Sequence, residues 1–117
     1  MTSLATTDIL ISEVGPRDGL QSVKATMSTA DKCRWIDSLV AAGLREIEVT
    51  SFVPAHLLPQ MADAADVVRH ALQHSGVTVM ALVPNLRGAE AAELICDRLA
   101  EDHGARVGKG LLLAGVV

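Results

Sequence analysis

Aromatic residues are nearly absent from this chain, which has no tyrosine, one phenylalanine and one tryptophan among 117 residues. Half of the residues are nonetheless hydrophobic, and this content excludes an intrinsically disordered protein. Apart from Trp35 and Phe52, the hydrophobic side chains are aliphatic or contain sulfur. We therefore predict one globular domain whose core is aliphatic.

Cysteine is also scarce, since the chain has only Cys33 and Cys96, far apart and without metal-ligand spacing. This excludes a disulfide scaffold and fits a reducing compartment. Both cysteines are predicted to lie on the buried faces of helices as small core residues. Ten basic residues stand against 14 acidic ones, a net charge of -4, and they form no block. We therefore do not expect nucleic acid as a partner.

No hydrophobic run is long enough to cross a membrane. The longest one, "GLLLAGVV" at residues 110–117, is far shorter than the ~20 residues that span a bilayer. The first residues, "MTSLATTD", lack the basic region and apolar segment of a signal peptide. We expect a cytoplasmic protein without a membrane partner.

Predicted strands and helices alternate along the chain. Apolar runs predict strands over Ile9–Val14, Arg45–Thr50 and Val77–Val83. Helices are predicted from Ser28, which with Asp31 resembles a capping box, to Gly43, from Asp63 to Gly76, and from Gly88 to Asp102. Strands that start at residues 9, 45 and 77 have the spacing of βα units. This pattern indicates a parallel sheet covered by helices, either doubly wound or part of a (β/α)8 barrel, and residues 110–117 are a possible fourth strand.

Polar residues follow the carboxyl ends of these strands, where both architectures carry their functional groups. Arg17 and Asp18 follow the first strand, inside the turn of "EVGPRDGLQ". Asp18 is a hard oxygen ligand suited to Mg²⁺ or Mn²⁺, and Arg17 offers a rigid fork of donors to a substrate oxygen. Glu48, near the end of the second strand, would point inward in a barrel and could orient Arg17. Gln21 and Asn85 could position substrate oxygens.

Each of these residues also has a structural interpretation. An adjacent Arg and Asp in a turn are commonly a solvated pair, and a strand glutamate can face solvent at an edge. Asn85 follows Pro84 and is a good helix cap. The four histidines, His56, His70, His74 and His103, are predicted to be structural or solvated, without a partner at ligand spacing.

Four segments together resemble the 3-hydroxy-3-methylglutaryl-CoA lyase family. They are "EVGPRDGLQ", "IEVTSFV", "PQMAD" and "VPNLRGAEAA", in this order. The resemblance covers about Ile9 to Ala92, whereas residues 93–117 depart from the family pattern. The turn Gly15–Gln21 differs from the Thr-Leu-Arg-Asp-Gly-Glu type of turn in the related isopropylmalate and homocitrate synthases. The resemblance implies that residues 1–117 are an α/β domain, the N-terminal part of a (β/α)8 TIM barrel with three to four βα units and parallel strands.

The resemblance also implies a carbon–carbon lyase that cleaves a 3-hydroxy-3-methylglutaryl thioester into acetyl-CoA and acetoacetate with a divalent metal, Mg²⁺ or Mn²⁺. An acyl-CoA thioester is the implied partner. Asp18 matches the metal ligand, Arg17 the arginine that stabilises the enolate, and Glu48 the glutamate that supports this arginine. Further substrate contacts are implied for Gln21, Ser51 and Asn85, and Lys24 is a candidate contact for the CoA phosphates.

The family's other metal ligands, a His-x-His pair and an Asn, have no counterpart in these 117 residues. Neither Cys33 nor Cys96 matches its catalytic cysteine. We therefore expect the chain by itself to be a truncated, inactive lyase that self-associates through exposed strand edges. The alternative is a non-catalytic α/β module for binding or assembly.

Overall fold

The computed structural model describes residues 8–103 and 112–115, with side chains described as far as residue 98. Four strands and three helices alternate in these residues: β1 (Ser12–Glu13), α1 (Thr29–Ala41), β2 (Glu46–Ser51), α2 (Ala64–Ala71), β3 (Thr78–Val83), α3 (Leu86–His103) and β4 (Leu112–Gly115). A π-helical turn at Gly15–Gly19 follows β1, and a 3₁₀ helix at Pro59–Met61 precedes α2.

All four strands are parallel, and their order in the sheet is β1-β2-β3-β4. Each strand therefore pairs with the next strand along the chain. A doubly wound sheet reverses its strand order at a switch point, whereas a (β/α)8 barrel does not. The structure thus supports the barrel architecture over the doubly wound one.

The predicted first strand, Ile9–Val14, was too long. Only Ser12 and Glu13 pair with β2, opposite Glu46 and Ile47. Because β2 begins at Glu46, residues 9–11 have no partner in it, and Ile9, Leu10 and Ile11 are all exposed. The apolar run at residues 9–14 predicts a strand, but the length of that strand depends on where the neighbouring strand β2 begins.

Both ends of α1 follow the local signals of the sequence. The Ser28 hydroxyl accepts a hydrogen bond from the Asp31 N–H at 3.1 Å, which caps α1 as predicted. Gly43 follows α1 with a φ angle of +97°, a left-handed region that favours glycine. The predicted second helix, Asp63–Gly76, was too long, because α2 ends at Ala71 and Gly76, with a φ angle of +75°, lies in the turn beyond it.

The core lies between the sheet and its helices and is aliphatic, as the shortage of aromatic residues predicts. Its buried members are Ile36, Ile47, Val49, Val67, Val68, Ala71, Val79 and Ile95. Cys33 and Cys96 are free and only half-buried, so the prediction that they are buried core residues was wrong. Within the described residues, no helix is both long and apolar enough to cross a bilayer.

Candidate functional site

The turn after β1 wraps around one backbone carbonyl. The N–H groups of Arg17 and Asp18 donate to the Val14 oxygen at 3.1 and 2.7 Å. Gly15 opens the turn where space is short, since an added Cβ would lie 2.8 Å from Glu13 Oε1. This backbone holds Arg17 and Asp18 beside the carboxyl ends of the strands.

Arg17 is joined to β2 by an ion pair. Its Nε donates to Glu48 Oε1 at 2.5 Å, and the two side chains are only 18% and 9% exposed. A charge-assisted hydrogen bond with so little solvent access fixes the guanidinium more firmly than a surface pair would. The Arg17–Glu48 contact expected from the sequence is therefore present.

A β-bulge in β2 places two candidate residues on the same face of the sheet. Glu48 pairs with Met80, but Thr50 pairs with Ala81 and Ser51 with Leu82, so the register shifts between Glu48 and Thr50. Strand side chains alternate between faces, and regular pairing would put Glu48 and Ser51 on opposite faces. The extra residue brings them to one face, as bulges do near functional sites.

Two buried polar atoms near this end of the sheet lack a hydrogen-bond partner among the described residues. They are Ser51 Oγ and Gln21 Oε1. An unpaired buried polar atom is costly, about 1–3 kcal/mol, and each such atom calls for an explanation. A bound polar ligand would supply the missing hydrogen bonds.

Asp18 has the properties of a metal ligand but stands alone. Its side chain is 63% exposed, and its one described side-chain contact is with Arg17, where Nη1 lies 3.4 Å from Oδ1. A carboxylate fits Mg²⁺ or Mn²⁺. No three-donor group that includes Asp18 occurs among the described side chains. The residues present therefore supply one ligand for a hard cation.

Asn85 and Lys24 lie at the surface of the same end. Asn85 Oδ1 accepts the Gly88 N–H at 3.0 Å and so caps α3, while the amide nitrogen can donate to a substrate oxygen. Lys24 is exposed in the loop before α1 and is not drawn into the Arg17–Glu48 pair.

A network that the sequence did not reveal supports the turn. Lys32 is buried, and its Nζ contacts Asp63 Oδ1 at 2.6 Å and the Gln60 carbonyl at 2.5 Å. Gln60 Nε2 in turn donates to the carbonyls of Gln21 and Val23, both at 3.1 Å. The "PQMAD" segment thus connects α1 to the loop that carries Gln21. A lysine in an amphipathic helix normally predicts exposure, so no sequence signal marked it.

A cavity of about 270 Å³ opens at the same end, between the loop after β2 and the start of α3. Phe52, Met61 and Ala91 give it a mainly apolar lining, and Asn85 and Arg87 add polar groups. Gly88 lies against this loop, since an added Cβ would be 2.9 Å from the Phe52 carbonyl oxygen.

The prediction for the histidines was partly wrong. His56 is exposed, as expected. His70 and His74 instead form a group with Asp37 in which ligand atoms lie within 4.8 Å of one another. The spacing of four residues between the two histidines was the signal that the prediction overlooked. The side chain of His103 lies outside the described part.

Comparisons with known proteins agree on one family. Residues 8–101 match the sequence model of the HMGL-like family. A 3-hydroxy-3-isohexenylglutaryl-CoA/hydroxy-methylglutaryl-CoA lyase of Pseudomonas aeruginosa is 56% identical over 80 residues, which are 68% of this chain and 27% of that protein. The mitochondrial hydroxymethylglutaryl-CoA lyase of Macaca fascicularis is 51% identical over 84 residues, 72% of this chain and 26% of its own length.

The fold agrees as well. The crystal structure of hydroxymethylglutaryl-CoA lyase from Pseudomonas aeruginosa matches with a TM-score of 0.71 and 40% identity, over 86% of this chain and 37% of that one. The chain therefore corresponds to the N-terminal portion of the lyase TIM barrel and spans about a quarter of the length of the curated relatives named above. Because the family match covers most of its residues, the chain belongs to the HMGL-like family.

Proposed function

We propose that this chain supplies the N-terminal part of a hydroxymethylglutaryl-CoA lyase active site, for cleavage of 3-hydroxy-3-methylglutaryl-CoA into acetyl-CoA and acetoacetate. The observation that carries the proposal is the Arg17–Glu48 ion pair beside Asp18, at the carboxyl ends of β1 and β2. Relatives that are about half identical to the matched residues are lyases of this kind.

The proposed reaction requires a group that opposes negative charge on a thioester oxygen. A base removes the proton of the tertiary hydroxyl, whose oxygen becomes the ketone of acetoacetate. The carbon–carbon bond breaks, and its electron pair forms the enolate of the thioester, which takes up a proton to give acetyl-CoA. Arg17 is proposed to donate to the enolate oxygen, while Glu48 holds the guanidinium in place. Such preorganised donors stabilise the charge that develops in the transition state.

We propose that Asp18 is a ligand of the divalent metal. Members of this family generally depend on a divalent metal. When bound, the cation would withdraw negative charge from the substrate oxygens as a Lewis acid. Asp18 would hold it with one carboxylate, and Arg17 alongside would leave two positive centres near one substrate oxygen.

Ser51 and Gln21 are proposed to bind polar groups of the substrate, since Ser51 Oγ and Gln21 Oε1 have no described hydrogen-bond partner. The Ser51 hydroxyl can donate to a substrate oxygen, whereas Gln21 Oε1 accepts from a substrate hydroxyl. The amide nitrogen of Asn85 can donate to a substrate oxygen, and Lys24 is proposed to meet the CoA phosphates. The apolar cavity beside Asn85 suits the apolar part of an acyl-CoA. One relative is named as a lyase of both 3-hydroxy-3-isohexenylglutaryl-CoA and hydroxymethylglutaryl-CoA. The proposal therefore does not specify the alkyl group on carbon 3 of the substrate.

A hybrid enzyme tests the proposal. The matching 80-residue segment of the Pseudomonas aeruginosa lyase is replaced by that of this chain, and acetoacetate release from hydroxymethylglutaryl-CoA is measured. We expect the hybrid to turn over within roughly tenfold of the parent, because it retains Arg17, Asp18 and Glu48. A folded hybrid without activity would contradict the proposal. For the 117-residue chain alone we expect no measurable turnover, since its described side chains provide one ligand for the metal.

A metal titration separates the lyase from a non-catalytic module. In the hybrid, we expect Mn²⁺ to raise the melting temperature, because a cation that binds only the folded state stabilises it. Asp18→Asn removes the charge of the ligand and should abolish this shift, whereas Asp66→Asn, at a carboxylate on α2 that is 66% exposed, should not. Equal shifts in both variants would indicate that Asp18 is not a ligand and would favour the binding module.

A further inference from the structure

A second cluster of polar side chains joins α1 to α2 away from the proposed lyase site. Asp37 lies on α1, His70 on α2, and His74 one turn further along the chain. The Nε2 atoms of both histidines lie 2.6 Å from the same oxygen, Asp37 Oδ1. The two rings are nearly perpendicular, with centroids 5.8 Å apart, so they do not stack. Their nitrogens converge on one point at the helix surface.

The cluster is separate from the Arg17–Glu48 pair. In βα units the helices run antiparallel to the strands, so a helix begins at the carboxyl end of the sheet and ends at the opposite edge. Asp37 lies eight residues after Thr29, the first residue of α1, or about 12 Å along the helix axis. His70 lies in the last turn of α2, which ends at Ala71, and His74 lies in the turn that follows it. The cluster therefore faces the outside of the helix layer, toward the amino ends of the strands.

We propose that Asp37, His70 and His74 form a site for one divalent transition-metal ion of the zinc class. The three ligand atoms lie within 4.8 Å of one another. Two imidazole nitrogens and one carboxylate oxygen are a known three-residue ligand set for Zn²⁺, with water in the fourth position. Imidazoles favour Zn²⁺, Ni²⁺ and Cu²⁺, whereas Mg²⁺ prefers oxygen ligands alone. This site goes beyond the proposed lyase function and does not depend on it.

Access and backbone geometry both suit a metal. His74 lies in the turn that follows α2, where its N–H donates to the Ala71 carbonyl at 3.2 Å, and this turn brings its ring beside that of His70. The side chains of His70, His74 and Asp37 are 30%, 27% and 45% exposed, which leaves room for an entering ion and its water. Because Asp37 is partly exposed, its carboxylate can move aside by a rotation as the ion takes the position between the nitrogens.

The protons must also be accounted for. In the structure as described, both Nε2 atoms meet a carboxylate oxygen, so each carries a hydrogen that it donates to Asp37. A metal needs the lone pair of each nitrogen instead. A neutral imidazole therefore exchanges its proton through solvent from Nε2 to Nδ1, and an imidazolium releases a proton to solvent.

The experiment uses the 117-residue chain without a histidine tag, titrated with Zn²⁺ by calorimetry and with Co²⁺ by visible absorption. We expect one equivalent to bind. His70→Ala and His74→Ala should each weaken binding by roughly 100-fold or more, since each removes one of three protein ligands. His56→Ala is the matched control, because His56 is exposed and outside the cluster. Cys33→Ser is a second control, because a half-buried thiol one turn before Asp37 is a competing ligand.

A measurement on the unsubstituted chain guards against variants that fold poorly. Diethylpyrocarbonate modifies accessible histidines, and mass spectrometry reads each site separately. We expect Zn²⁺ to protect His70 and His74 but not His56. The proposal is overturned if the wild-type chain binds no Zn²⁺ at about 100 µM, a concentration at which even weak sites fill. It is also overturned if binding persists in the His70→Ala/His74→Ala variant, or if Zn²⁺ protects neither histidine.

Discussion

Two polar bridges join the same pair of helices, α1 and α2, and they differ in burial. Near the start of α1, Lys32 meets Asp63 with only 3% and 18% of their side chains exposed. Further along α1, Asp37 meets His70 and His74, and all three side chains are partly open to solvent. The first bridge is closed to ligands and connects to the loop that carries Gln21. The second bridge leaves its donors available.

Burial decides what each bridge does. A buried charge must keep its partner, because the low dielectric makes an unpaired charge expensive. The Lys32–Asp63 bridge therefore fixes the proposed lyase site, together with the Thr29 hydroxyl that donates to Asp63 at 2.7 Å. A partly exposed bridge contributes little to stability, since water competes for its groups. The Asp37 bridge is thus free to exchange its hydrogen bonds for a metal.

The largest expected effect is on stability at the buried bridge. We expect Asp63→Ala to lower the free energy of unfolding by about 3–5 kcal/mol, because it leaves the Lys32 charge buried without a partner. Asp31→Ala is the control: its exposed carboxylate pairs with Arg34 on the surface of α1, and the loss of stability should be much smaller. Urea unfolding measures both. In the Asp63→Ala background, Lys32→Met should restore most of the loss, and a double variant as unstable as Asp63→Ala would contradict this explanation.

The next effect concerns the positioning of Arg17. In the hybrid enzyme, we expect Glu48→Ala to lower kcat by roughly 10- to 100-fold with a smaller change in KM, because the guanidinium loses its orientation. Glu48→Gln keeps a hydrogen-bond acceptor and should lose less. The control is Glu46→Ala, on the same strand two residues earlier. Equal kcat values for Glu48→Ala and Glu46→Ala would show that the ion pair does not position Arg17.

The smallest effect is the pH dependence of the exposed bridge. The pKa of Asp37 is lowered, since hydrogen bonds and charge from His70 and His74 outweigh burial. Its stabilising contribution is therefore present above the unfolded value of 3.8 and is lost as pH falls through the lower folded value. Because the side chain is nearly half exposed, we expect at most ~0.5 kcal/mol. The measurement compares the unfolding of wild type and Asp37→Asn in EDTA.

The pH range for this comparison follows from the direction in which the pKa of Asp37 is shifted. The stability difference between wild type and Asp37→Asn should be constant near about pH 5 and should shrink toward about pH 2, as the carboxylate takes up its proton. A difference that grows on acidification would contradict the lowered pKa.

The sequence predicted those features that are set locally. The cap at Ser28, the turn with Arg17 and Asp18, and the inward Glu48 follow from neighbouring residues and strand alternation. The bulge after Glu48 depends on how β2 pairs with β3, which no local pattern records. The length of β1 depends in the same way on where β2 begins.

The contacts between α1 and α2 were not predicted from the sequence. Asp37 lies 33 residues from His70, and only the packing of two helices brings them together. Lys32 is buried because Asp63 and the Gln60 carbonyl surround its ammonium group, which amphipathic periodicity does not indicate. The four-residue spacing of His70 and His74 was visible in the sequence, but it becomes a metal-ligand set only when Asp37 faces it.

The most direct test of the central claim is the kcat of the hybrid enzyme with Arg17→Gln, relative to the hybrid with Arg34→Gln. Arg34 is an exposed arginine on α1 and serves as the matched control. We predict a loss of roughly 10²- to 10³-fold for Arg17→Gln, since it removes the donor proposed to stabilise the enolate oxygen, and no loss for Arg34→Gln. Equal kcat values in the two folded hybrids would contradict the claim that Arg17 and Glu48 form part of a lyase active site.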